Sequence, residues 1–359
     1  MKKRAWLTLE DGTVFEGESF GADGELIGEV VFTTSMTGFQ ETLTDSNYIG
    51  QIVVQTFPLA GCPGTNSHDD LSDYGGAAGL VAREYSEIAS NFRCEETIDE
   101  FMKKRGIIGL CGIDTRKLTR ILRSKGTING IISGTEPAQE VTAETLSKLK
   151  TYSPDITLIS GTETVTHEAE NAKYNVALLD YGHRKSIVTL FNKLGCNVTV
   201  IPFTETINPA DYDGIILSNG AGNPAECADE IEAVKALVAA KIPLFGIGLG
   251  HQLLALANGG TTAKPGHGHR GANIPVIDLG AESGRTFITA QNHGYVVMSI
   301  PESVGKITHI NANDKTCEAI SYKNIPALSV QFVPSEEGGV NSTAYLAEKF
   351  IELMQSVKN

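Results

Sequence analysis

The chain has no apolar run near the ~20 residues that a membrane-crossing helix needs. Its start, Met1 to Trp6, leads straight into the acidic stretch LEDGTVFEG instead of the apolar core of a signal peptide. The expectation is a cytoplasmic protein. Positive charge is also scarce: 29 Lys and Arg stand against 43 Asp and Glu, a formal net charge of −14. Such a balance opposes broad contact with nucleic acid or an anionic membrane, both polyanions. Cysteine is thinly spread, with Cys62, Cys94, Cys111, Cys196, Cys227 and Cys317 far apart and no C-x-x-C pair. That spacing gives no zinc or dithiol motif and reads as reduced, idle thiols.

The most telling absence lies at Ile242 to Ala257, IPLFGIGLGHQLLALA. Ile242 to Ile247 has the composition of a strand and Gln252 to Ala257 that of a helix, with a Gly-rich turn between them. A strand-turn-helix elbow in an α/β enzyme lifts one side chain clear of the backbone and aims a helix N-terminus at the same point. The tip of this elbow is Gly248. The scaffold of a catalytic site is therefore expected without its reactive atom.

With 359 residues, 41% of them hydrophobic and 20% charged, the chain suits a soluble protein of two domains. Residues 1–150 read as a β-rich α/β domain. Ala5 to Leu9, Val14 to Glu18 and Glu29 to Thr33 are strand-like, and Asp114 and Thr115 precede a basic amphipathic helix that Gly126 ends. Arg116, Lys117, Arg120, Arg123 and Lys125 read as its solvated face, with a binding face as the alternative. A helix at Ala143 to Lys150 leads into a polar linker, 151–174. From 175 to 359 strands and helices alternate: Val176 to Leu179, Arg184 to Lys193, Asn197 to Ile201, Gly214 to Leu217, Ala228 to Ala240, then the elbow. Phe287 to Ala290 and Ala327 to Phe332 read as further strands and Thr343 to Val357 as a closing helix. This order predicts a doubly wound domain with a largely parallel sheet and ligands at the carboxyl ends of its strands.

In the first domain the motifs are TSMTGFQETLTD, SNFR and IDTRKLTR. In the second they are LLDYG, LSNGAGNP, GIGLGHQLLALA, GHRGAN, QNHGY and ALSVQF. Together and in this order they resemble the small, glutamine-amidotransferase subunit of carbamoyl phosphate synthetase over nearly the whole chain. The resemblance implies a class I amidotransferase domain, in which a cysteine thiolate attacks the side-chain amide of glutamine and a histidine held by a glutamate moves the proton. It also implies a heterodimer with a large subunit, docked chiefly through the first domain. That partner would bring ATP and Mg²⁺ to make carbamoyl phosphate for arginine or pyrimidine synthesis, and no cofactor or metal is expected in this chain.

Carried over position by position, the family's elbow G-I-C-L-G-H-Q has Gly248 for its cysteine. Its Q-F-H-P-E motif has Val333 for histidine and Ser335 for glutamate. All three members of the triad are absent, so the chain is expected to be inactive as a glutaminase. Glutamine-site positions map onto Gly220, Gly222, Leu249, Gln252, Asn292, Gly294 and Tyr295. Departures surround them: Asn47 stands for the family's serine, Ala221 and Asn223 alter the G-P-G-D loop, and Ile274 replaces a histidine after GHRGAN. Weak binding of L-glutamine at most is therefore expected. His251 and His293 occur in the family beside its triad and read as structural, and Cys227 lies in a different loop. The resulting expectation is a structural or regulatory subunit of an ammonia-using synthetase. The alternative is a module that has left the synthetase and holds another small ligand in the old cleft.

Overall fold

A computed structural model describes residues 3–134, 142–152, 159–280, 284–335 and 343–358. The chain divides into two compact units, Met1–Ile156 and Thr157–Asn359. No helix among the described residues is long and apolar enough to cross a membrane.

In the first unit seven strands close into a barrel. Going round it, they are Arg4–Leu9, Val14–Gly21, Ile108–Cys111, Gly79–Val81, Gln51–Gln55, Leu26–Thr33 and Ile128–Ser133. Closure pairs the last with the first, Leu7 opposite Ile132, and so leaves no free edge. Because side chains alternate along a strand, Val30, Ile52 and Val54 enter one buried cluster with Leu118 and Leu122. Val31 and Val53 enter a second, with Phe39, Tyr48 and Phe101. Leu118 and Leu122 belong to the helix Thr115–Lys125, whose Asp114 accepts a hydrogen bond from the Lys117 N–H at 2.8 Å and whose C-cap is Gly126. The five basic residues of this segment are exposed, and Lys125 pairs with Asp11 at 2.7 Å.

The second unit is built on a ten-stranded sheet. Its centre is parallel, in the order Cys196–Pro202, Tyr174–Tyr181, Gly214–Gly220, Leu244–Ile247 and Ala327–Val330. Two-sided burial explains the apolar runs. Val176, Leu178, Ile216 and Phe245 pack against Ile187 and Phe191 of the helix Lys185–Lys193 and Phe350 and Met354 of the helix Tyr345–Lys358. Ala177, Leu179, Ile215 and Leu217 face the opposite way, onto Val234 and Leu237 of the helix Ala228–Ala239 and Leu253 and Leu254 of Leu249–Ala257. Helices on both faces make the expected doubly wound domain.

Two features extend it. Beyond Ala327–Val330 the sheet continues antiparallel through Cys317–Tyr322, Gly305–Asn311, His269–Asp278 and Thr286–His293. Within the stretch read as linker, Val165–His167 forms an edge strand antiparallel to Cys196–Pro202. Its three residues are exposed, so hydrogen bonding holds it there without a hydrophobic pattern to announce it.

Candidate functional site

The Gly248 turn joins the buried strand Leu244–Ile247 to the helix Leu249–Ala257. Gly248 has φ 56 and ψ −112, a left-handed conformation that favours glycine. Its N–H donates to the Val330 carbonyl at 2.9 Å, and its carbonyl accepts from the Gln252 N–H at 3.2 Å. A Cβ placed on it would lie 3.1 Å from Asn219 Cβ, 3.3 Å from Asn219 Cα and 3.8 Å from the Gln331 carbonyl oxygen. A side chain here would emerge where the parallel strands end, beside the segment that carries Val333. Two residues on, Gly250 is obligatory, because a Cβ would stand 2.2 Å from the Leu217 carbonyl. The backbone forms a complete elbow, and the tip presents only hydrogen.

Gly220, at the end of Gly214–Gly220, lets the chain pass the Tyr181 carbonyl, where a Cβ would be 2.2 Å away. Leu249 opens the elbow helix, so its N–H belongs to the turn that lacks an intrahelical acceptor. Gln252, 3% exposed, donates to the Tyr295 carbonyl at 2.7 Å and to Gln331 Oε1 at 3.0 Å. Both of its amide hydrogens thus tie the elbow helix to neighbouring segments. Asn292, Gly294 and Tyr295 are half-buried around the end of Thr286–His293.

Val333 is half-buried against the core cluster that includes Phe332 and Leu346. The Ser335 N–H donates to Thr343 Oγ1 at 3.0 Å. Asn47 lies in the first unit, in the one-turn helix Ser46–Tyr48, its N–H held by Asp45 Oδ1 at 3.2 Å. The structure therefore brings the elbow, the Gly220 strand end and the 331–335 segment together within the second unit.

Cys227, His251 and His293 are other groups near the elbow with nucleophile or base chemistry. Burial and the nearby Glu230 and Glu226 push the Cys227 thiol up to about 11, so it stays protonated and unreactive at neutral pH. His251 is fully buried, its Nδ1 is 2.7 Å from Ser329 Oγ, and desolvation lowers it to about 3. His293 has both ring nitrogens facing protein oxygens, Tyr295 O and Gln291 Oε1, each at 2.8 Å. Among the described residues no cluster of three or more His, Cys, Asp or Glu has the makings of a metal site.

Sequence reasoning missed the supports of the turn after Tyr174–Tyr181. Asp180, fully buried, accepts from the Gly182 and His183 N–H groups at 3.0 and 2.8 Å and faces His183 Nδ1 at 2.9 Å. Its other oxygen accepts from the Gly161 N–H at 3.1 Å. Asn219, 1% exposed, accepts from the Arg184 N–H and donates to the Gly182 carbonyl, both at 3.0 Å. The signal for both was their place at parallel strand ends.

The family model for the carbamoyl-phosphate synthase small chain, CPSase domain, matches residues 7–132, and that for class-I glutamine amidotransferase matches 177–353. A carbamoyl phosphate synthase small chain from Listeria monocytogenes serotype 4b is 43% identical over 359 residues, covering 99% of this chain and 97% of that protein. The chain belongs to the carbamoyl phosphate synthase small chain family. Other members share its full length: a small chain from Streptococcus pyogenes serotype M3 is 42% identical over 99% of this chain and 98% of its own. The pyrimidine-specific small chain of Bacillus subtilis is 40% identical, with 100% and 97% covered. Among solved structures, a glutamine amidotransferase from Thermotoga maritima matches 53% of this chain and 87% of its own at 15% identity and TM-score 0.40. The first family match falls within the barrel unit and the second within the sheet unit.

Proposed function

We propose that this small chain has lost its glutaminase step and serves as the structural subunit of a synthase whose large chain takes ammonium directly. The observation that carries this reading is Gly248, an elbow tip with φ 56 and ψ −112 and no side chain. Val333 and Ser335 occupy the positions that the resemblance gives to the histidine and glutamate. Without a thiolate no carbon–sulfur bond to glutamine forms, and without an imidazole no proton reaches the departing ammonia. A leftover oxyanion site accelerates hydrolysis only weakly when the nucleophile and base are both gone. ATP and Mg²⁺ are assigned to the large chain, and glutamine is at most a weak ligand here.

The test is carbamoyl phosphate formation by this chain co-purified with the large chain of its own source, given glutamine or ammonium. Synthesis from ammonium alone is the expected result, and synthesis from glutamine overturns the proposal. Failure to find a large-chain partner would favour a repurposed binding module. The apolar Val333 beside the cleft suits that second reading, which a melting shift with a ligand other than glutamine would support.

A further inference from the structure

From the elbow helix into the antiparallel strands runs a chain of buried and half-buried polar groups that lies outside the triad positions. Tyr295 O accepts from Gln252 Nε2 of the elbow helix and faces His293 Nδ1. His293 Nε2 lies 2.8 Å from the Gln291 amide, whose far end is 2.9 Å from Glu318 Oε2 and 3.0 Å from Thr289 Oγ1. Glu318 Oε1 accepts from Asn311 Nδ2 at 2.9 Å. Glu318 is 0% and Gln291 1% exposed.

Hydrogen-bond valence fixes the protons. Tyr295 O can only accept, so His293 Nδ1 carries a hydrogen. With Gln291 Oε1 toward the ring, Nε2 would need one too, making His293 an imidazolium. Desolvation acts against that charge, as do the neighbouring His269 and Arg270. Turning the amide over keeps the same spacing and offers an N–H to a bare Nε2. The amide oxygen then faces Glu318 and Thr289, and Glu318 must be the donor. The rearrangement gives up the Thr289 bond to the Ile274 carbonyl, one neutral hydrogen bond against two buried charges.

We propose that Glu318 is a protonated positioning residue that donates to Gln291, so that Gln291 fixes the His293 tautomer and His293 pins Tyr295 beside the elbow helix. Burial supports the same state by pushing Glu318 up to about 8, with the nearby Asp314 adding to the shift. His269 agrees with it as well: its Nε2 faces Asp314 at 2.8 Å, and its buried Nδ1, without a partner among the described residues, points at Glu318 from 3.9 Å. The charged and titratable groups around the relay are therefore His269, Arg270, Asp314, Cys317 and His251. Ionised Glu318 loses its donor, the amide turns back, and His293 lets go of Tyr295. This holds whether or not the chain binds glutamine.

The test is nitrogen NMR of the histidine rings in the full chain from pH 7 to pH 9, for the wild type and Glu318→Gln. An amide at 318 donates to Gln291 and accepts from Asn311 just as the neutral acid does. The expected result is His293 with a protonated Nδ1 and a bare Nε2 at pH 7 in both proteins. Their melting temperatures should lie within about 2 °C, and the ring signals should change near pH 8 in the wild type only. Two protonated ring nitrogens at pH 7, or identical pH profiles in the two proteins, overturns the proposal. If the variant does not fold, the wild-type spectrum at pH 7 still decides the tautomer.

Discussion

Two turns at the carboxyl ends of parallel strands, one on each side of Gly214–Gly220, are built differently. The turn after Tyr174–Tyr181 is held by side chains: Asp180 and Asn219 together bind backbone groups of Gly161, Gly182, His183 and Arg184. The turn after Leu244–Ile247 is held by backbone bonds and close packing, and its tip carries no side chain. The contrast teaches that a strand-end turn in this sheet can be fixed either by buried polar side chains or by backbone bonds and close packing. The bare tip costs the Gly248 turn nothing sterically, since glycine suits its φ better than cysteine does. Loss of Asp180 or Gly250 would strike the fold itself.

The largest effect should come from filling the second turn. Gly250→Val would drive a branched side chain into the Leu217 carbonyl, 2.2 Å from where its Cβ must stand. The expected loss is at least about 3 kcal/mol, the upper range for overpacking a core, seen as an early melting transition of the sheet unit. Next is Asp180→Ala, which removes the acceptor of three backbone N–H groups in a fully buried site. A cost of about 3 kcal/mol is expected, measured by urea denaturation. Should Asp180→Ala prove harmless, the claim that side chains hold this turn fails.

Gly248→Cys sharpens the comparison from the other side. The new Cβ sits at positive φ and 3.1 Å from Asn219 Cβ, so a destabilisation of about 1–2 kcal/mol is expected. Glutamine hydrolysis should stay at background, because Val333 cannot take a proton from the thiol. Turnover by this single variant, measured as ammonia release, would mean that another base reaches the turn.

Much of this contrast was legible in residues whose pattern is local. Asp114 and Gly126 bracket their helix, and the apolar runs around Val176, Leu178 and Phe245, with helices between them, pointed to the doubly wound class. Gly246, Gly248 and Gly250 marked the elbow by spacing alone. The antiparallel half of the sheet was largely hidden, because Gln291, Asn311 and Glu318 look like surface residues until pairing buries them and satisfies them with one another. Asn219 was hidden for a related reason. Its role depends on a turn 35 positions earlier in the chain, and no local pattern carries that distance.

The smallest effect concerns acid. His251 in the elbow helix is fully buried and held neutral, lowered to about 3 from the ordinary 6.5 by desolvation. Its unfolded form binds a proton first, so its contribution is complete above about pH 6.5 and declines as the pH falls toward 3. Between pH 7 and pH 6 linkage gives a loss of about 0.7 kcal/mol from this one group. Urea denaturation at the two pH values, on the wild type and His251→Asn, isolates it, since the other histidines are common to both. Asparagine keeps a hydrogen-bonding group near the position of Nδ1, which faces Ser329, but cannot titrate. The wild type should lose more stability than the variant over that step. Equal losses would mean that His251 already holds its proton in the folded chain, and the view of the elbow helix as packed scaffold without an acid–base group would have to be given up.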